Sequence, residues 1–147
     1  MSSYLNFYLV PKKKKGQRKK QKPLLFHSIN RANPIYGKFY ETLNPTFIGN
    51  DEEYHYSELS YDDVKNVISS LKEDISETEK RFKRRIEAIK ELKNIKDNEL
   101  DDYVTDYLDT KDYLDELNEA LTEIEYIGIW VDDIEYSDFE KVLINVD

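Results

Sequence analysis

No cysteine occurs in the 147 residues, which removes disulfides, thiolate nucleophiles, zinc ribbons and iron–sulfur clusters together. With only four glycines, the chain has no glycine-rich loop to cradle a phosphate. Its two histidines, His27 and His55, stand outside any metalloprotease or Cys/His spacing. His27 alternates with Phe26 and reads as a plain strand residue. Nowhere do about eighteen apolar residues run together, so no membrane-spanning helix is expected. The first apolar stretch, Leu5 to Val10, has no basic flank before it and no small-residue cleavage site after it, unlike a signal peptide. No nucleophile elbow is present, and the many carboxylates fall on exposed helix faces where nothing tunes them for proton transfer. A chain of this kind is expected to be no enzyme and to need no cofactor or metal.

What remains is charge and aromatic surface. Charged residues make up 36% of the chain and aromatic residues 13%, with twelve tyrosines, too many for a disordered acidic tail. The length suits one domain with a core of its own, residues 1–147. The net charge of -9 hides two opposite blocks. Residues 1–40 hold ten cations and no acid, while Asp97 to Glu125 holds twelve carboxylates and one cation, Lys111. Segregation on this scale speaks about partners rather than fold.

Residues 4–10 and 24–29 are rich enough in aromatic and β-branched side chains to predict two strands. Pro11 and Pro23, which cannot donate to a ladder, mark the strand ends. Between them lies a basic loop, 11–23. Asn33-Pro34 reads as a cap with proline at the first helical position, opening a short helix over 34–43. Tyr54 to Tyr56 reads as a short strand or an edge segment. Ser60 and Asp63 form an approximate capping box. It opens a helix of about 35 residues, with apolar residues at Val64, Ile68, Leu71, Ile75, Phe82, Ile89 and Leu92. After a polar break at Lys96-Asp97-Asn98, Leu100, Tyr103, Tyr107, Thr110, Leu114, Leu117, Leu121 and Ile124 keep a 3-4 alternation. The two helices predict an antiparallel, coiled-coil-like hairpin over 60–125. Arg81, Arg84 and Arg85 are expected to pair across it with Asp106, Asp109 and Asp112. The tail, 126–147, predicts one or two closing strands, with Ile127, Ile129 and Val131 on one parity and Trp130 and Phe139 covering the sheet. The fold class expected is α+β: a small, mainly antiparallel sheet from both chain ends, one short helix, and the long hairpin. The N-terminal hairpin and short helix take up 1–59.

Three surfaces carry candidate chemistry. Lys12, Lys13, Lys14, Lys15, Arg18, Lys19, Lys20 and Lys22 place eight cations in eleven residues, able to neutralise phosphates without reading sequence. On the second helix Asp102, Asp109, Asp112, Glu116, Glu119 and Glu123 fall on one stripe, expected to lie opposite the apolar seam. With Thr105 filling the gap after Asp102, its positions average roughly 5 Å apart along the axis, close to the phosphate spacing of a nucleic-acid strand. A solvated helix face usually mixes signs to gain i,i+4 pairs; this one forgoes them. The tyrosines are the third: Tyr54, Tyr56 and Tyr61 cluster before the long helix and Tyr36 and Tyr40 sit on the short one, serving either as core or as contact surface.

The Lys/Ile/Asn/Asp/Glu/Tyr-heavy usage, the missing cysteine and the acidic stretch Asp97–Glu125 resemble small accessory proteins of phages and mobile elements, of the anti-CRISPR type. That resemblance implies a non-catalytic inhibitor or modulator whose acidic hairpin enters a basic cleft of a nucleic-acid-handling protein or nucleoprotein complex, such as a CRISPR effector. The basic loop departs from a pure nucleic-acid mimic and implies a second contact, to nucleic acid. Two other readings stay open: an accessory protein that binds nucleic acid through the Lys-rich loop, and a structural subunit that self-associates through its hairpin. The chain is expected in the cytoplasm of a bacterial host, or in the nucleus if the basic run is a eukaryotic targeting signal. Monomer and dimer are equally compatible with the sequence.

Overall fold

The computed structural model describes residues 4–16, 22–42, 57–92 and 97–146. Strands β1 (Tyr4–Pro11) and β2 (Leu24–Asn30) form the expected antiparallel hairpin, and the prolines stand where the ladder stops. Two further strands, β3 (Ser57–Glu58) and β4 (Phe139–Val146), complete an antiparallel sheet in the order β2-β1-β4-β3. The strand expected at Tyr54–Tyr56 lies outside the described residues. Phe7 pairs with His27 on one side and Ile144 on the other, and Leu9 with Leu24 and Val142. This register puts Leu5, Phe7, Leu9, Val142 and Ile144 on one buried face, as a period of two requires. On the other face Asn6 Nδ2 donates to Asn145 Oδ1 at 3.3 Å and accepts, through its own Oδ1, from Ser28 Oγ at 2.7 Å. The buried Asn6 and Asn145 are thereby partnered, with the exposed Ser28 extending the row to a third strand. A bulge beside Phe7/Tyr8 shifts the register, and Phe26 lies 6.3 Å from the Phe7 ring and 6.0 Å from Trp130. Trp130 in turn meets Phe139 edge-on at 5.9 Å, covering the sheet as the sequence predicts.

Helix α1 (Pro34–Thr42) begins where Asn33 Oδ1 accepts from the Ile35 amide at 3.0 Å, and it buries Ile35 and Phe39. Helix α2 (Tyr61–Lys90) starts with the full capping box: Ser60 accepts from the Asp63 amide and Asp63 from the Ser60 amide. It buries Val64, Val67, Leu71, Ile75 and Thr78. Thr78, an apparent polar interruption, satisfies its hydroxyl on Asp74 O at 2.7 Å. Helix α3 (Asp97–Asp132) is 36 residues long and antiparallel to α2, giving the helical hairpin.

Two expectations are corrected here. Ile127, Ile129 and Val131 belong to the last turns of α3, not to a closing strand. Leu117, Ala120, Ile124 and Ile127 are buried at steps of three and four, so helical packing holds the segment and overrides the alternation of Ile127, Ile129 and Val131. Gly128 sits where an added Cβ would lie 3.1 Å from Val64 Cγ1, letting α2 and α3 approach closely. The polar break at Asp97 and Asn98 is likewise the start of α3. The second correction concerns charge. Among the described residues no ion pair joins Arg81, Arg84 or Arg85 to Asp106, Asp109 or Asp112. The seam there is aromatic, Phe82 stacking on Tyr107 at 5.1 Å. Arg84 lies about 200° round α2 from Phe82 and Asp112 about 140° round α3 from Tyr107, so both face away from the seam. Arg81 donates to Thr78 Oγ1 instead.

The core therefore fills only the basal half of the hairpin. Ile124→Ala should cost about 2–5 kcal/mol in urea unfolding, whereas Asp102→Ala, exposed and far out on the same helix, should stay within about 0.5 kcal/mol.

Candidate functional site

Helix α3 is positioned by its lower turns, where Leu117, Ile124 and Ile127 are buried against the sheet and α2. From this anchor the helix carries the acidic stripe. Asp102, Asp109, Asp112, Glu116 and Glu119 are all exposed. At 100° per residue the stripe centres roughly 90° from the middle of the buried face, so it flanks the seam rather than opposing it. That offset brings its lower end beside α1 and β2.

Glu123 shows the consequence. It is half-buried, with Oε1 accepting from His27 Nε2 at 2.8 Å, and Asn33 Nδ2 donating to Oε2 at 3.3 Å. The residue expected to face a partner is an internal clamp that ties α3 to β2 and to the entry of α1. His27 is correspondingly more than a plain strand residue: its ring lies 6.0 Å from Phe7 and 6.4 Å from Tyr126. Helical angle alone could have suggested the clamp, since Glu123 adjoins Ile124. His55 lies outside the described residues.

Glu116, about two turns further out, lines an open cleft of about 350 Å³ with Arg31, Asn33, Lys38, Asp74 and Tyr113. One wall is closed by the Lys38–Asp74 ion pair between α1 and α2, at 2.6 Å. Beyond the cleft, Asp109, Asp112, Glu116 and Glu119 stand roughly 5 Å apart along the axis on average, and among the described residues none of them forms an ion pair.

At the other pole, Lys12, Lys13, Lys14, Lys15 and Lys22 are described, while Arg18, Lys19 and Lys20 lie outside the described residues. Lys12 is held: its Nζ donates to Glu135 O at 3.0 Å and its amide to Asp138 O at 2.9 Å. The loop is thus rooted on the turn Ile134–Tyr136 that links α3 to β4. Lys13, Lys14 and Lys15 beyond it are exposed. Of the tyrosines, Tyr36 stacks on Tyr40 at 6.1 Å, Lys65 Nζ sits 4.6 Å from the Tyr61 ring centroid, and Tyr54 and Tyr56 lie outside the described residues.

Among the described residues no group of three or more His, Asp or Glu side chains is placed to hold a metal ion, and no helix is long and apolar enough to cross a membrane. No family model, curated protein or solved structure matches the chain.

The clamp makes a direct claim on stability. Glu123→Ala leaves the His27 and Asn33 donors without their acceptor and should cost about 1–3 kcal/mol. Glu119→Ala, one turn away and exposed, should stay within about 0.5 kcal/mol in the same thermal melts.

Proposed function

We propose that this protein is a non-catalytic inhibitor or modulator, of the anti-CRISPR type, that blocks a basic cleft of a nucleic-acid-handling protein in the host cytoplasm. The reading rests on one observation. Asp109, Asp112, Glu116 and Glu119 form an exposed row on a helix whose base is fixed in the core, and among the described residues none of them is paired with a cation. Holding like charges in line costs self-repulsion, and a positive channel built for phosphates returns that cost on binding. The rigid base matters, because side chains already fixed in spacing lose little freedom when they dock. The Lys-rich loop, rooted through Lys12, adds a cationic contact for nucleic acid already bound in the target.

The test immobilises the full chain and captures proteins from a host lysate, beside the variant carrying Asp109→Lys, Asp112→Lys, Glu116→Lys and Glu119→Lys. Wild type should retain a nucleic-acid-binding protein that heparin competes away. The variant, with unchanged circular dichroism, should bind that purified protein on the order of ten-fold more weakly or worse. Tight binding of naked DNA or RNA that is lost on neutralising Lys12 to Lys15, and untouched by the four reversals, would overturn the reading in favour of the nucleic-acid-binding alternative.

A further inference from the structure

The outer half of the hairpin is short of cover. No described side chain of α2 beyond Thr78 is buried, and none of α3 before Leu117. The unburied stretch runs about 18 Å along α2 and about 30 Å along α3 at 1.5 Å per residue. Two helices can shield only the ridge between them, and Leu100, Val104 and Leu108 continue at four-residue steps along the outside of α3, 41%, 38% and 48% exposed. They lie roughly 180°, 140° and 100° round the helix from Ile127, which faces the sheet, and so on the side turned away from it. An apolar ridge of this kind marks a contact surface.

The charges around the ridge say which partner fits. Residues 80–90 of α2 carry six cations and one acid, while residues 99–115 of α3 carry seven acids and one cation. None of these groups forms an ion pair among the described residues. The Phe82–Tyr107 stack sets the levels of the two antiparallel helices. It puts Glu79 beside the height of Lys111, the one cation of that α3 stretch, and Lys90 beside the height of Asp101. Glu79 and Lys90 lie roughly half a turn round α2 from Asp74, which holds α1, so they share the side of the hairpin that carries the ridge.

We propose that a second copy of this chain covers that side. The two arms pack back to back about a twofold axis running along the hairpin, forming a four-helix bundle. This axis keeps every residue at its own height and lays α2 of each copy on α3 of the other. Glu79 then meets the partner's Lys111, Lys90 meets the partner's Asp101, and the stem of Lys83 lies over the partner's Val104 and Leu108. A twofold axis across the hairpin would instead stack the cations of α2 on their own copies. The acidic stripe lies roughly a third of a turn away round α3, so it stays open in the dimer.

Sedimentation equilibrium of the full chain across the micromolar range tests this. A dimer is expected at low salt, weakening as salt rises. Val104→Glu with Leu108→Glu should give a monomer with unchanged helical circular dichroism, both positions being exposed. Two charge-swapped variants sharpen the test: Glu79→Lys with Lys90→Glu on α2, and Asp101→Lys with Lys111→Glu on α3. Each alone should self-associate about ten-fold more weakly, and their equimolar mixture should dimerise like wild type. A wild-type monomer throughout the range overturns the proposal. So does undiminished dimerisation of the Val104/Leu108 variant, or a mixture that associates no better than its components.

Discussion

The inner face of β1 against the lower halves of α2 and α3 is the contact on which the molecule is built. Leu5, Phe7 and Leu9 are buried there together with Leu71, Leu117, Ile124 and Ile127. Each such side chain contributes about 1.5–3 kcal/mol when taken out of water, and no other cluster of comparable size exists among the described residues. β1 can serve because it is internal to the sheet, paired with β2 on one edge and β4 on the other. Loosening it would free both ends of the chain and the base of both helices at once. The arm has no second foundation.

Electrostatics is arranged around that foundation rather than within it. Where α3 passes the sheet, its one half-buried acid on the stripe, Glu123, receives donors from His27 and Asn33. Higher up, where solvent is present on most sides, the exposed acids of the stripe have no ion-pair partner among the described residues, and the core below absorbs the repulsion. A charge near a packed interface must be satisfied or it is costly; a charge in water need not be. The same helix therefore serves as scaffold at one end and as a display surface at the other.

Much of this was legible in the chain itself. The prolines at 11 and 23, the Asn33-Pro34 start and the Ser60/Asp63 box name local geometry through their own backbone chemistry, and each stands where the sequence puts it. The hairpin followed from apolar spacing. What failed was whatever required knowing which neighbour a side faces. Ile127, Ile129 and Val131 alternate like a strand, yet the packing of Ile124 and Ile127 carries the helix through them. Arg81 and Asp106 stand at similar levels along the hairpin axis, but angle about the axis decides, and Phe82 and Tyr107 hold the seam. Glu123 belonged to the stripe by its spacing and left it by its angle, since the stripe turned out to flank the core.

The polar row of Asn6, Ser28 and Asn145 has a kinetic consequence. Asn6 and Asn145 are 139 positions apart, whereas the bonds within α2 and α3 close over a few residues. Local closure is quick and distant closure is slow, so the two helices can wind long before β4 slots between β1 and β3. Until that strand arrives, β1 presents an unpaired edge. Pairing of β1 with β4 therefore closes a far longer loop than any bond within the helices, and the amide-to-amide bridge between Asn6 and Asn145 penalises any register but the right one.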